Sequence, residues 1–327
     1  MKTGLKIFSA LLLLIFIGLT VLMIIKVIDV KKGKPLAELE YKNTPCKTFK
    51  HVGSVEKLTI LPVIDYFAER PDLKTEAGVS YIIRADKTVI LMDVGYNQHG
   101  THPTPLLQNM DKLGLKINDI DILYISHLHL DHVGGMTEVR KQMFSLTRGK
   151  LELPKVTAYT PVVMKQSEMT PVGELIMNKD PFILKPGICS IGAIPRHLFA
   201  LGKVYEQSLA INVKGKGIVL IIGCGHQGVD KILERTRALF KEPIYAIIGG
   251  LHFPVHGGRS MIGPVNVQYI VGSDVPPWNG LNEGDVLSAI DLIKKSNAAI
   301  VALSPHDSSD WALGQFKERL GKRAVEL

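Results

Sequence analysis

Four potential metal ligands lie within six residues of the chain, at His127, His129, Asp131 and His132. Imidazole nitrogens and carboxylate oxygens are the usual protein ligands of catalytic divalent ions. Residues two apart in an extended turn point the same way, so His127 and His129 can share one ion while Asp131 and His132 face a second. The spacing therefore predicts a centre with one or two divalent ions, in which bound water becomes a nucleophile near neutral pH.

The segment before this cluster is predicted to be a buried strand. Residues 119–126 carry four isoleucine or leucine side chains, which is typical of a strand covered on both faces. The cluster then follows the carboxyl end of that strand, where open α/β sheets bind their ligands. The pair Gly134-Gly135 allows the backbone to turn sharply after it.

The pattern H-x-H-x-D-H followed by Gly-Gly resembles the signature of the metallo-β-lactamase superfamily of metal-dependent hydrolases. In that superfamily a strand-end aspartate orients the metal histidines through hydrogen bonds, and Asp93 stands at the matching place. A Gly-Cys-x-His-x-Gly segment carries a further histidine, and residues 223–228 are similar to it. The resemblance implies a first metal held by His127, His129 and His226, and a second held by Asp131, His132 and His306.

A narrower similarity extends from about Leu58 to the end of the chain. It is to the branch of the superfamily that contains the 7,8-dihydropterin-6-yl-methyl-4-(β-D-ribofuranosyl)aminobenzene 5'-phosphate synthases, and it is carried by residues 76–80, 194–196, 206–209, 247–252 and 304–306. The chain departs from this branch at Ala77, where a histidine is usual, and at residues 305–309. A long insertion, at about residues 254–283, has no counterpart in the branch and is expected to reshape the pocket.

Other positions near the expected metals are open to more than one interpretation. In many superfamily members an aspartate at a later strand end bridges the two ions, but here that strand ends at His252. We expect His252 to take that place or to add to the second site, with a substrate contact as the alternative. Cys224 could be a ligand, but buried cysteines mostly act as small apolar residues, so packing is favoured. Arg196 and Gln207 are candidates for substrate binding, and a surface ion pair is the alternative for Arg196.

Short apolar runs alternate with helical patterns from Leu58 onward, without a break in composition. Strands are predicted near residues 58–64, 80–84, 88–93, 156–159, 208–213, 218–222, 245–248 and 299–303, and helices near 105–115, 228–240, 285–295 and 308–320. This mixture predicts a single layered α/β domain. The superfamily resemblance implies a four-layer αββα sandwich with the metals in a groove at one edge between two sheets.

The amino-terminal segment is predicted to be a transmembrane helix. Residues 7–25 are apolar apart from Ser9, Gly18 and Thr20, and about twenty such residues cross a bilayer. A cleaved signal peptide is the alternative, but its apolar core of about 7 to 15 residues is shorter and is followed by a small-x-small site. We therefore predict a single-pass anchor at residues 1–28, a polar tether at 29–54 and the catalytic domain at 55–327.

The charge of the chain lies mostly next to this anchor. Residues 1–34 contain six lysines and one aspartate, a net +5 of the total +8, which leaves +3 for the other residues. A nucleic-acid partner is disfavoured because no basic stripe is interleaved with aromatic residues. The lysines that follow the apolar run and the absence of a C-x-x-C pair slightly favour the cytoplasmic side for the domain. The sequence does not predict an oligomeric state.

The leading interpretation is a membrane-tethered metal-dependent hydrolase that acts on a small-molecule ester, lactone or phosphoester. A metal-bound hydroxide would be the nucleophile, Asp131 would hold the attacking water, and Asp93 would orient the ligands. Zinc suits an imidazole-rich binuclear site, which would also accept manganese or iron. Two alternatives stay open: a pterin-cofactor synthase-like transferase acting on a phosphoribosyl intermediate, and a non-catalytic metal or ligand sensor.

Overall fold

Two β-sheets form the centre of the fold in the computed structural model, which describes residues 2–327. The first sheet consists, in spatial order, of β1 (Leu58–Ile64), β2 (Ser80–Ala85), β3 (Thr88–Met92), β4 (Ile122–Tyr124), β5 (Leu153–Thr160) and β6 (Val172–Met177). Strands β1 to β3 pair antiparallel, and β3 to β6 pair parallel. The carboxyl ends of β3 and β4 therefore meet at one edge of this sheet.

The second sheet has the order β17-β16-β13-β12-β11-β8-β7. Its strands are β7 (Phe182–Lys185), β8 (Ile188–Ser190), β11 (Leu209–Val213), β12 (Gly217–Ile222), β13 (Ile244–Gly249), β16 (Ile300–Leu303) and β17 (Ala324–Val325). Because β12, β13 and β16 run parallel, the residues that follow them also meet at one edge. Outside the sheets lie two hairpins, β9 (Ile194–Leu198) with β10 (Gly202–Glu206) and β14 (Met261–Ile262) with β15 (Val265–Asn266).

The two sheets face each other across an apolar layer and carry helices on their outer faces. Tyr81, Ile90 and Tyr124 of the first sheet pack there with Leu209 and Ile221 of the second, and all five are fully buried. The outer face of the first sheet is covered by α2 (Pro105–Lys112), and that of the second by α5 (Val229–Leu239), α7 (Glu283–Ser296) and α8 (Asp310–Leu320). The order helix, sheet, sheet, helix confirms the predicted αββα sandwich.

The strands and helices predicted from residue 58 onward are present, and their ends differ by a few residues. Periodicity does not predict the strands between residues 172 and 206. Strands β6 and β10 bury only part of their side chains, which weakens their apolar pattern. Strand β9 is mostly buried, but Pro195, Arg196 and His197 interrupt its apolar run. Three short helices, α3 (Leu130–Val133), α4 (Met136–Lys141) and α6 (Val267–Val271), lie in the loops; α6 and the β14–β15 hairpin belong to the predicted insertion.

Helix α1 (Lys2–Asn43) differs from the predicted anchor and tether. Its most apolar 18-residue window has a mean hydropathy of 3.0, is entirely exposed and is long enough to cross a membrane. The helix does not end at residue 28 but continues to Asn43, and Val30, Ala37 and Tyr41 are buried against the domain. Residues 29–43 thus form a docked helix instead of the predicted tether. Their apolar residues share one helical face, but they are too sparse among lysines and glutamates to give a clear pattern.

Candidate metal centre

The predicted ligands meet in a groove between the two sheets because each follows the end of a strand. Asp93 follows β3, His127 and His129 follow β4, Cys224 and His226 follow β12, His252 follows β13, and His306 follows β16. None of these strands lies at the edge of its sheet, and β4 and β12 are fully buried. The polar residues after them are therefore held on rigid backbone next to the core.

Three histidines point ring nitrogens at a common place. One ligand atom from each of His127, His129 and His226, which we call the first group, lies within 4.8 Å of the other two. Within residues 2–327, no hydrogen-bond partner is found for the buried atoms His127 Nε2, His129 Nε2 and His226 Nδ1. Leaving a buried polar atom unpaired costs about 1–3 kcal/mol, whereas a divalent ion satisfies three imidazole lone pairs at once. The residues therefore fit a metal.

A second group lies beside the first and consists of Asp131, His132, Cys224 and His306. Its ligand atoms are also within 4.8 Å of one another. The Sγ atom of Cys224 lies 3.0 Å from His132 Nε2 and 3.3 Å from His306 Nε2. Because Cys224 is also grouped with His226 of the first group, its sulfur lies where the two groups meet. The sequence favours a packing role for this cysteine, but in the structure its sulfur lies among the candidate metal ligands.

Asp93 orients two of these histidines, as the resemblance implied. The fully buried Asp93 accepts a hydrogen bond from the Ser126 N–H at 2.7 Å and one from the Ser126 hydroxyl at 2.7 Å. Its Oδ2 also lies 2.7 Å from His132 Nδ1, and Ser126 Oγ lies 2.9 Å from His127 Nδ1. Since the serine gives its proton to the carboxylate, it must accept the Nδ1–H of His127. The Nε2 atom of His127 then carries the lone pair that a metal needs, and Nε2 of His132 would offer one after the ring loses its second proton.

A matching chain of hydrogen bonds starts from the second sheet. Ser304 Oγ donates to Asp65 Oδ2 at 2.7 Å and lies 2.6 Å from His306 Nδ1. By the same reasoning, His306 presents a lone pair at Nε2. Burial raises the pKa of Asp65 to about 7. Sequence reasoning missed Asp65, because it follows β1 and carries no motif that would link it to a histidine near the other end of the chain.

Burial also sets the protonation of the histidines. It lowers the pKa of His129 to about 3 and holds the pKa values of His127 and His226 well below their ordinary range. Neutral imidazole is the form that binds metal. His132 differs: burial lowers its pKa, but the carboxylates of Asp93 and Asp131 more than offset this effect and raise it to about 9.

One buried carboxylate holds the loop that carries Cys224 and His226. Glu206 Oε1 accepts the N–H groups of Cys224 and Gly225 at 2.9 and 2.8 Å, and Oε2 accepts the N–H of His226 at 2.8 Å. Burial raises the pKa of Glu206 to about 7, although these donors act in the opposite direction. In the sequence Glu206 stands out only as part of a segment similar to the synthase branch. Its role depends on a loop after another strand, so spacing could not reveal it.

His252 lies in a different place from the one predicted for it. It is grouped with Cys224 and His226 and not with the second group. Its Nε2 donates to the carbonyl of Gln268 at 3.1 Å, which leaves Nδ1 buried without a partner among residues 2–327. The backbone of His252 has a φ of +53°, an uncommon conformation that is often found at functional sites. The geometry thus places Cys224, and not His252, between the two groups.

The two predicted substrate-binding residues have protein partners. Arg196 Nη2 lies 3.0 Å from Asp274 Oδ2 of the insertion, and about a quarter of its side chain is exposed. Gln207 is fully buried; its Nε2 donates to the Ile125 carbonyl at 2.8 Å, and its Oε1 accepts from Ser190 Oγ at 3.3 Å. The structure therefore gives Gln207 a role in joining the two sheets instead of the predicted substrate contact, while Arg196 forms the predicted alternative, an ion pair.

Gly250→Ala is expected to destabilise the folded chain. An added Cβ would lie 2.3 Å from both the Gly223 carbonyl oxygen and Asp307 Oδ2, and 2.8 Å from the His306 ring. Overpacking of this kind costs about 1–3 kcal/mol, measured as the free energy of unfolding in denaturant. Gly314→Ala is the matched control, because nothing lies within 4 Å of its added Cβ and alanine favours helix α8. Equal stability of the two variants would contradict the close packing at Gly250.

Comparison with known protein families agrees with this geometry. The family described as the metallo-beta-lactamase superfamily matches residues 73–143, a stretch that contains Asp93 and the ligands from His127 to His132. Over this stretch the chain matches the metallo-β-lactamase superfamily. The whole domain is similar in fold to the crystal structure of Tm1679, a metal-dependent hydrolase of the beta-lactamase superfamily. The match covers 83% of this chain and 96% of that one, with a TM-score of 0.52 and 16% identity, so the chain has the metallo-β-lactamase fold.

Relatives in sequence add a link to one branch of the metallo-β-lactamase superfamily. The 7,8-dihydropterin-6-methyl-4-(beta-D-ribofuranosyl)-aminobenzene-5'-phosphate synthase of Methanocaldococcus jannaschii is 26% identical over 242 residues, which cover 62% of this chain and 80% of the relative. This match confirms the predicted similarity to the synthase branch. A shorter stretch of 52 residues is 35% identical to the transcription termination factor FttA of Cenarchaeum symbiosum, and covers 16% of this chain and 8% of that protein.

Proposed function

We propose that this chain is a member of the metallo-β-lactamase superfamily and acts as a membrane-tethered, metal-dependent hydrolase that cleaves an ester, lactone or phosphoester bond of a small molecule. The observation that supports it most is the convergence of two groups of buried ligand atoms on the Cys224 sulfur. Divalent ions such as zinc, manganese or iron, when bound there, supply Lewis acidity and lower the pKa of bound water to about 7.

Asp131 is the residue to which we assign the handling of water and protons. Its side chain is 17% exposed, whereas that of His132 is fully buried, so the Asp131 carboxylate reaches the groove. Its backbone carbonyl accepts the N–H of Val79, which fixes Asp131 against the first sheet. A carboxylate held at this place can orient a water molecule and accept its proton.

Cys224 is the residue that would contribute a ligand atom to both groups if ions occupy them. Its sulfur is within reach of both groups, and a thiol must lose its proton to bind metal. Burial and the carboxylates around it raise the pKa of the Cys224 thiol in the protein alone. Adjacent divalent ions would supply the positive charge that the buried thiolate lacks.

A synthase-like transferase that acts on a phosphoribosyl intermediate is the second candidate, and the relative from Methanocaldococcus jannaschii favours it. This candidate requires the domain to face the cytoplasm, where such an intermediate would be made. A reporter fused to the carboxyl terminus tests it: a signal from outside the membrane would exclude the transferase and leave the hydrolase.

The metal-loaded full chain in detergent is expected to hydrolyse at least one compound in a panel of phosphodiester, lactone and β-lactam substrates. Asp131→Asn should lower kcat by about 10²–10⁴, the usual contribution of a positioned acid or base. Asp119→Asn, at an exposed aspartate, is the matched control and should leave the rate unchanged.

Two results would contradict the hydrolase proposal or the assignment of Asp131. If the chain binds its full complement of metal but turns over no compound of the panel, the hydrolase proposal fails and a metal or ligand sensor is the better interpretation. If Asp119→Asn lowers the rate as much as Asp131→Asn, the assignment of Asp131 is wrong.

A further inference from the structure

The second part of α1 is attached to the domain by specific contacts. Lys26 Nζ donates to the carbonyl of Ala200 at 2.7 Å, and Asp29 Oδ2 lies 3.0 Å from His197 Nε2. Val30, one residue further along, is buried. Helix α1 continues without interruption from its apolar part into this docked part. In this arrangement a membrane that surrounds the apolar part meets the edge of the domain at which the helix docks.

Lys26 marks the level of that membrane surface. It ends the apolar run, and a lysine at the end of a spanning helix places its charge among the lipid headgroups. The turn between β9 and β10 is at the same level, since Ala200 of this turn accepts the hydrogen bond from Lys26. The next residue, Leu201, is 48% exposed. An apolar side chain at this level would contact lipid.

Trp278, in the insertion, lies beside the same part of the helix. It is 61% exposed, and together with α1 it forms an open groove of about 520 Å³ whose helix wall includes Phe16, Met23 and Ile28. The buried Phe199 supports it from the β9–β10 turn, with 6.3 Å between the ring centroids. Tryptophan is enriched at membrane interfaces because its ring is apolar while its N–H can bond to headgroups.

We propose that Trp278 and Leu201 form a lipid-facing surface that seats the domain on the bilayer, with acyl chains in the groove between Trp278 and α1. This inference rests on the membrane tethering proposed above. A second copy of the chain is another occupant that could cover the groove. The bilayer is favoured because one wall of the groove is the exposed, apolar segment of α1 that is long enough to cross it.

The same insertion also reaches the metal centre. A Cβ added to Gly272 would fall 1.6 Å from His252 Nε2, so the backbone at this residue lies directly against the histidine. Asp274 pairs with Arg196 at 3.0 Å and with Lys34 of α1 at 2.9 Å. Trp278 follows Gly272 by six residues, a span of at most about 20 Å. Docking through Trp278 therefore holds the metal centre close to the membrane surface.

Depth-dependent fluorescence quenching tests the proposal, because the chain has two tryptophans. Trp311→Phe leaves Trp278 as the reporter, and Trp278→Phe leaves Trp311, which belongs to α8 and packs against His256. Each full-length variant is reconstituted into vesicles of phosphatidylcholine with or without bromine on the acyl chains. Brominated lipid should remove about half or more of the Trp278 emission, since an interfacial ring touches the upper acyl chains, and should leave the Trp311 emission almost unchanged.

Three outcomes would overturn the proposal. Trp278 emission that brominated lipid does not reduce, in a chain that resists alkaline extraction from the vesicles, would mean that the surface does not meet lipid. Equal quenching of Trp278 and Trp311 would mean that the contact is not confined to this surface. If the chain does not associate with vesicles, both the membrane tethering and the lipid-facing surface are contradicted. Metal content and turnover, measured on the same preparations, show separately whether the proposed hydrolase function fails.

Discussion

His129→Ala is expected to empty one metal site and His306→Ala the other. The two histidines belong to different groups of ligand atoms, and each presents a ring nitrogen to the groove. Changes to residues that only support a ligand weaken metal affinity about 10–100-fold, so loss of a ligand should weaken it further. Metal content per chain, measured by elemental analysis after dialysis, should fall from two ions toward one in each variant.

His99→Ala is the matched control for these two variants. His99 is exposed in the loop after β3 and belongs to none of the ligand groups found among residues 2–327. The His99→Ala variant should keep the metal content of the unchanged chain. Full metal content in both His129→Ala and His306→Ala would mean that the ligand assignment is wrong.

Cobalt bound to the full chain is expected to show a strong near-ultraviolet charge-transfer band from a thiolate ligand, and Cys224→Ser should abolish it. The Cys224 sulfur lies 3.0 and 3.3 Å from ring nitrogens of His132 and His306, so an ion in the second group would contact it. Cys224→Ser should also weaken binding of the second ion by about 10–100-fold or more. The absorption spectrum and a metal titration measure the two effects independently of activity.

Cys46→Ser is the control for the cobalt spectrum. Cys46 is a free cysteine that lies after α1 and belongs to no ligand group within the described residues. Its replacement should leave the band in place. A band that persists in Cys224→Ser, or that depends on Cys46 instead, would remove Cys224 from the metal centre.

The local parts of the site could be predicted from the sequence, because their geometry depends on short spacing. His127, His129, Asp131 and His132 follow one buried strand, and their spacing alone indicates two groups of ligands. His226 and His306 could be added only through the resemblance to a family, because they come from another sheet. The layered fold was predictable for a similar reason, since most of its central strands are short, continuous apolar runs.

Contacts between distant segments could not be predicted. From the sequence, Cys224 is predicted to be a small apolar core residue. The structure places the loop after β12 beside the end of β16, so that the Cys224 sulfur lies next to His306. Asp65 and Glu206 act on loops far from them in sequence, so no spacing rule links them to the ligands. The sequence predicts a tether where the second part of α1 is docked, because the buried face of this part is formed by contact with the β9–β10 hairpin, which is distant in sequence.

The ligands are divided between the two sheets, and this division links metal binding to the order of folding. The residues of the first sheet leave the ribosome before those of the second, and His306, which follows β16, comes last among the ligands in the chain. A chain in which only the first sheet has formed can therefore collect at most a partial ligand set, with weak affinity. Since an ion that binds only the finished fold stabilises it by mass action, metal uptake would favour chains in which both sheets are folded, and cellular metal supply would influence how much folded protein accumulates.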